Sequence, residues 1–291
     1  MIKLFFFGLF LSLAVAFSPG AVEPYTEPGV ADFDSFLQIL EPHGNWEKDK
    51  NEGWIYFPTL GRDKAWHPYQ AGRWRYSDWG WLWEGKEAIA NVCYYYGWWK
   101  RVNEKWGWIP DVKWDASRVE WRVSDKCYGW NSNFRTEKEV SAGEQNKEWF
   151  FIPKEKLTNL LKAEDFLGFE QTEDVLLKTE VSQHILTIPH YRDFVRAGPS
   201  PKEVTALTGE KIVRHTIMCL SQWDEARPER YDAHYFFIYR PKIAQDKDGI
   251  QRRIDFWVKK RGFKRDLDEI SHTIIEESVR QTVDEVKKKN R

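Results

Sequence analysis

Two carboxylates stand beside aromatic rings in one short stretch: Asp78 precedes Trp79, and Glu84 follows Trp83. A glycosidase needs such a pair about 5 to 10 Å apart, one to give a proton and one to attack or to activate water. Sequence does not fix that distance, and the chain holds 44 basic and 45 acidic residues, so carboxylate pairs are common in it. An envelope hydrolase of glycosidase type is therefore an alternative reading. Nucleophile and metal signatures are missing: there is no G-x-S-x-G, H-E-x-x-H, C-x-x-C or phosphate-binding glycine loop. The seven histidines (43, 67, 184, 190, 215, 234 and 272) are scattered. His67, in Trp66-His67-Pro68-Tyr69, is expected to hydrogen-bond within a turn. No catalytic residue, metal ligand or cofactor is assigned.

Tryptophan is the unusual residue. Fourteen of the 17 lie between Trp46 and Trp130. Trp79, Trp81 and Trp83 fall at i, i+2 and i+4, which is one face of a strand, and Trp106 and Trp108 do the same. One reading is core, since a small sheet can be filled with indoles. The other is a platform whose flat rings stack on sugar faces while nearby cations bond the hydroxyls. Fourteen indoles exceed what a sheet of that size readily buries, so the surplus is expected on the surface. The candidate ligand-binding residues are Trp79, Trp81, Trp83, Trp98 and Trp106, with Arg73 and Arg75 between the rings. Trp74, Trp81, Trp99 and Trp108 occupy equivalent repeat positions and are expected inside.

The elements that must position these residues are strands. Gly-x-Trp begins at 44, 72 and 97, and the paired tryptophans within each unit lie 8, 7 and 9 residues apart. Two short strands joined by a tight turn fit that spacing. Trp114, Trp121 and Trp130 continue it more loosely. Phe36, Leu37, Ile39 and Leu40 predict a short helix or turn ahead of the repeats. The expected fold is α+β: an N-terminal antiparallel Trp-rich β-module over 35–134, a mixed α/β part over 147–262, and a C-terminal amphipathic helix over 263–291. In the second part, strands are expected at 148–152, 174–182, 184–188, 211–220, 233–239 and 252–259. A helix is expected from Pro153 to about Leu161. Another should start at Ser200-Pro201, with Ser200 and Glu203 as a capping box, and end at Gly209.

The chain opens with a short basic start and an apolar run from Leu4 to Val15, closing on Ala14-Val15-Ala16. That pattern predicts a secretory signal peptide over 1–16, too short to span a bilayer, and an extracytoplasmic location, periplasmic or secreted. Residues 17–34 are expected to be a linker. Formal net charge is −1, which gives no support to nucleic-acid binding. No later segment is apolar enough for a transmembrane span. Export favours disulfides, and of Cys93, Cys127 and Cys219 the first two share a module, so a 93–127 bridge is weighed against three free thiols.

The repeat also resembles a known family. GRWRYSDWGWLW (72–83) is similar to the G-R-W-x-(Y/W)-T-D-x-G-W-x-W core of a bacterial exported family, domain of unknown function 6600. YYYGWW (94–99), KWGWIPDVKW (105–114), VEWR (119–122) and YGWN (128–131) extend the resemblance. EWFFIP (148–153) and RAGPSPKEVTALTGEKI (196–212) carry it more loosely, so that it spans 36–215. Cys93, Cys127 and Asn131 depart from the pattern. The resemblance implies an envelope location and brings no activity and no catalytic residues. The leading expectation is a non-catalytic envelope binding or structural module, with polysaccharide or peptidoglycan as partner. A protein partner held by a sheet edge or by the C-terminal helix is the other alternative.

Overall fold

A computed structural model describes residues 28–132, 149–182, 184–188, 193–220 and 229–262. The expected leader (1–16), most of the expected linker and the expected C-terminal helix (263–291) lie outside the described residues. The architecture is α+β, with antiparallel hairpins first and a mixed part after them.

Strand β1 (Val30–Ala31) leads into helix α1 (Asp34–Leu40), which buries Phe36, Leu37, Ile39 and Leu40. Four hairpins follow: β2 (Gly44–Asp49) with β3 (Gly53–Pro58), β4 (Gly72–Ser77) with β5 (Gly80–Gly85), β6 (Trp98–Val102) with β7 (Lys105–Ile109), and β8 (Glu120–Val123) with β9 (Cys127–Asn131). Each repeat unit is thus one hairpin, and the loose continuation is a fourth. Register sets the rings opposite one another: Trp46 faces Tyr56, Trp74 faces Trp83, Trp99 faces Trp108 and Trp121 faces Trp130. Aromatic pairs across strands add stability beyond their burial. The turn between β6 and β7 places Asn103 and Glu104 both at positive φ (50° and 64°), the geometry that follows strand twist in a two-residue hairpin loop.

The first and third hairpins share one four-stranded sheet, β2-β3-β7-β6. The fourth joins β10 (Phe150–Pro153) and β11 (Glu180–Val181) in the order β10-β9-β8-β11. The second hairpin, β4-β5, stays a two-stranded sheet. Between the second and third lies the four-residue helix α2 (Ala90–Cys93).

The second part corrects several expectations. Pro153 opens only a 3-10 turn, Lys154–Lys156, and in place of the 174–182 strand stand the end of helix α3 (Phe169–Leu176), a turn and the two residues of β11. In 252–259 the β-branched and aromatic residues suggested a strand, yet 247–262 is helix α5. Its Ile250 and Ile254, one turn apart, are fully buried, so the helical period decides. Strands β12 (Ile185–Ile188) and β13 (Asp193–Arg196) form a hairpin. Helix α4 (Pro201–Thr208) begins at Pro201 and ends on Gly209 at φ 72°, as expected. The expected capping box is not formed, however: Ser200 makes no side-chain cap, and the Glu203 carboxylate accepts instead from Tyr128 and Lys154. Strand β14 (Thr216–Leu220) pairs parallel with β16 (Tyr235–Tyr239), which also pairs with β15 (Glu229–Tyr231). Finally β17 (Lys242–Ile243) pairs with β1.

One apolar core runs from Phe33 to Ile254 and draws on α1, α2, the four hairpins, β10, α4, β14, β16, β17 and α5. Its centre is a ring cluster in which Trp74 meets Trp83, Trp121 and Trp130 at 5.1, 4.5 and 5.3 Å between centroids. A smaller cluster holds Cys127, Trp149 and Phe151. Cys93 lies in the main core, so the two cysteines of the expected bridge sit in different clusters, and all three cysteines are free thiols.

Candidate functional site

The expected aromatic stripe is enclosed. Trp79, Trp81, Trp83 and Trp106 are 8, 1, 0 and 5 % exposed, and only Trp98 is half-buried. The protein itself occupies the faces a sugar would use. Arg240 lies against both Trp79 and Trp114, its guanidinium carbon 4.3 and 3.9 Å from the two ring centroids. Lys247 sits over Trp98 at 5.7 Å, and Arg101 over Trp106 at 5.8 Å. Trp81 packs edge-on to Tyr76, and its indole N–H donates to the Pro199 carbonyl at 2.8 Å. Sequence reasoning anticipated cations among the rings. It missed that the decisive one, Arg240, arrives from more than a hundred residues downstream.

Both carboxylates singled out in the sequence have structural duties. Asp78 lies in the β4–β5 turn and accepts from the Ile217 amide at 3.2 Å, while its own amide donates to the His215 carbonyl at 2.9 Å. Burial pushes its carboxyl upward, against the hydrogen bond from Ile217 and the charge of Arg214. Glu84 is held by Arg73, whose Nε donates to Oε2 at 2.6 Å and whose Nη2 donates to Oε1 at 3.2 Å, and by Arg75 Nε on the same Oε2. Burial works to raise Glu84, but the two guanidiniums outweigh it and hold the carboxyl below its ordinary range. His67 is a local turn residue, as expected: its Nδ1 lies 2.9 Å from the Pro68 carbonyl and its ring stacks on Phe150. Burial lowers its pKa to about 4, so the ring is neutral at ordinary pH.

Arg73 and Arg75 do line an opening, together with Trp81 of the expected set. A cleft of about 440 Å³ runs along the outer edge of β4. One wall is β4 itself, Arg73 to Tyr76, and the other is Thr158 with Glu210 to Val213. His215, Asp232 and Ala233 close one end. Cleft carboxylates are engaged: Thr158 donates to Glu210 at 2.7 Å, and Asp232 accepts from the amides of His234 and Tyr235 at 2.8 and 2.7 Å. The two amides and nearby positive charge keep Asp232 below the usual carboxylate range. Trp83, Trp98, Trp106 and Trp79 are not part of this opening.

The cleft residues of 210–215 carry no ligand-binding signal in the sequence: the strand expected over 211–220 starts only at Thr216, and the residues before it are irregular. Among the described residues, no group of three or more His, Cys, Asp or Glu is arranged to hold a metal, and no helix is long and apolar enough to cross a membrane.

Residues 37–137 match the model of a family of unknown function, DUF6600. The matched stretch contains all four hairpins and ends before β10. No curated protein and no solved structure matches the chain.

Proposed function

We propose that this protein is a non-catalytic binding module of the cell envelope and that its site is the cleft along β4. The observation that carries the reading is the cleft's construction. A wall of Arg73, Arg75 and Tyr76 faces a wall of mixed polarity from a distant segment across an opening large enough for a small ligand. The N-terminal apolar run supports export, and the tightly packed rings around the site supply a rigid frame. The glycan form of this reading loses its stacking platform, because the five candidate rings are enclosed or covered by the protein's own cations.

The test is a binding screen. The full chain, exported in a bacterial host and recovered with its leader processed, is titrated with peptidoglycan fragments, soluble polysaccharides and peptides. Lys211 is exposed on the cleft wall, so Lys211→Ala should weaken binding of the true ligand severalfold at an unchanged melting temperature. Retention of the chain inside the cell would sink the envelope reading. Indifference of every ligand to Lys211→Ala would sink the cleft.

A further inference from the structure

We infer that the outer face of α5 is a self-association surface: continued through Ile274, the helix packs antiparallel against the same stretch of a second copy of this chain. None of the α5 residues lines the cleft.

The inner face of α5 carries Ile250 and Ile254, both fully buried, and joins the core. Phe256 stands two residues beyond Ile254, about 200° round the helix, and is 61 % exposed. Arg252, Lys259 and Lys260 are exposed as well. Three basic residues of α5 have carboxylate partners within the chain: Arg253 pairs with Asp34, Arg261 with Glu41 and Lys259 with Asp255.

A single exposed phenylalanine is ordinary. What distinguishes this one is the sequence that follows it. Phe256, Lys260, Phe263, Leu267, Ile270 and Ile274 are spaced 4, 3, 4, 3 and 4 residues apart. That is the a/d spacing of a coiled-coil seam, with Lys260 its one polar member. The helix is also not closed at its described end. Gly262 is helical and lacks the positive φ with which Gly209 ends α4. The seam thus keeps one phase from Phe256, on the described helix, to Ile274, outside the described residues. A hairpin folding back over α5 would break that phase, whereas a straight helix against an outside partner preserves it.

Charge selects the partner and its direction. Residues 252–265 hold seven Lys and Arg against Asp255 alone, and 266–277 hold five Asp and Glu with no Lys or Arg. Parallel copies would set basic on basic and acidic on acidic. Antiparallel copies centred on Arg265 set each basic block against an acidic one. The same centre pairs Phe256 with Ile274, Lys260 with Ile270 and Phe263 with Leu267, so the contact is self-complementary about a two-fold axis. The stem of Lys260 can lie along Ile270 with its ammonium at the rim. An anionic membrane would suit the basic block but repel the acidic one that follows it.

The test uses the full chain with its leader processed. Sedimentation equilibrium is expected to show a dimer with a micromolar dissociation constant, since a seam of under three heptads is short. Phe256→Asp should weaken the dimer about tenfold or more. Leu177→Asp, at an apolar residue 83 % exposed beyond the end of α3, should leave it unchanged. Added salt should weaken the dimer severalfold by screening the charged blocks. Direction is read by cross-linking in a Cys219→Ser background. Phe256→Cys chains mixed with Ile274→Cys chains under mild oxidation should form a disulfide between copies, and Phe256→Cys chains alone should not. A monomer at every concentration overturns the inference, as does a dimer indifferent to Phe256→Asp. Cross-linking of Phe256→Cys chains to one another would overturn it too, because the copies would then run parallel. Phe256-dependent binding of a monomer to vesicles of phosphatidylcholine and phosphatidylglycerol would overturn it in favour of a membrane surface.

Discussion

At the scale of single residues, the tryptophans act through enclosure. Trp74, Trp81, Trp99 and Trp108 are each 1 % exposed or less. Trp81→Ala is expected to lose about 3 to 5 kcal/mol of stability, read from urea unfolding, because the neighbouring rings cannot close over the space. Several indole N–H groups, those of Trp74, Trp83, Trp121 and Trp130 among them, meet no oxygen or nitrogen acceptor. Trp74 packs edge-to-face with Trp83 and Trp130. Arg240 lies against both Trp79 and Trp114, and Arg240→Lys should destabilise by about 1 to 2 kcal/mol, since the more strongly hydrated ammonium is less readily buried against two rings. Glu87 gives a pH signature. Burial raises its carboxyl pKa to about 7, although Tyr94 donates to Oε1 at 2.9 Å. The unfolded chain releases that proton near the ordinary value of about 4.5, so between about pH 4.5 and 7 the folded form holds more protons than the unfolded form. Stability therefore falls as pH rises through that window. Glu87→Gln should flatten this slope and raise the melting temperature at pH 8; a steeper slope in the variant would contradict the assignment.

At the scale of elements, the hairpins depend on a few glycines whose surroundings differ. Gly97 enters β6 at φ 63°, and a Cβ there would lie 2.1 Å from the Ile109 carbonyl oxygen. Gly209 closes α4 at φ 72° with nothing within 4 Å of its would-be Cβ. The two share a backbone conformation and differ only in space. Gly209→Ala should cost about 1 kcal/mol, the strain of the left-handed region. Gly97→Ala should cost several times more or prevent folding, as thermal melts of the two variants side by side would show. The Gly-x-Trp spacing predicted hairpins because both their turns and their rings are local features. It did not predict which hairpins would share a sheet, which is settled by contacts such as Tyr56 against Trp108.

At the scale of the whole molecule, the Trp-rich repeats and the second part make a single body. Tyr96 donates to the Pro241 carbonyl at 2.7 Å, Gln251 accepts from the Trp54 amide at 2.7 Å, and Arg253 pairs with Asp34. Ile250 and Ile254 complete the same core as Phe36 and Trp46. Cutting the chain after Ala244 is expected to expose that core and speed amide exchange throughout β2 and β3. Unchanged protection there would mean that the hairpins stand without α5. The intact protein should unfold in one cooperative transition by circular dichroism and tryptophan fluorescence alike.

The sequence alone determined the three Gly-x-Trp hairpins, a short helix or turn at 36–40, the Pro201-to-Gly209 helix and the burial of the equivalent tryptophans. All of these follow from periodicity and turn chemistry within a few residues of each other. Tertiary structure decided the rest. A ring stripe at strand spacing can face solvent or core, and the arrival of Arg240 and Pro199 from far downstream put it in the core. The strand propensity of 252–259 yielded to the burial of Ile250 and Ile254 on one helical face. The cleft, too, was beyond local pattern: it exists because two segments about 50 residues apart, ending at Leu161 and at His215, meet the same edge of β4 and leave its middle uncovered.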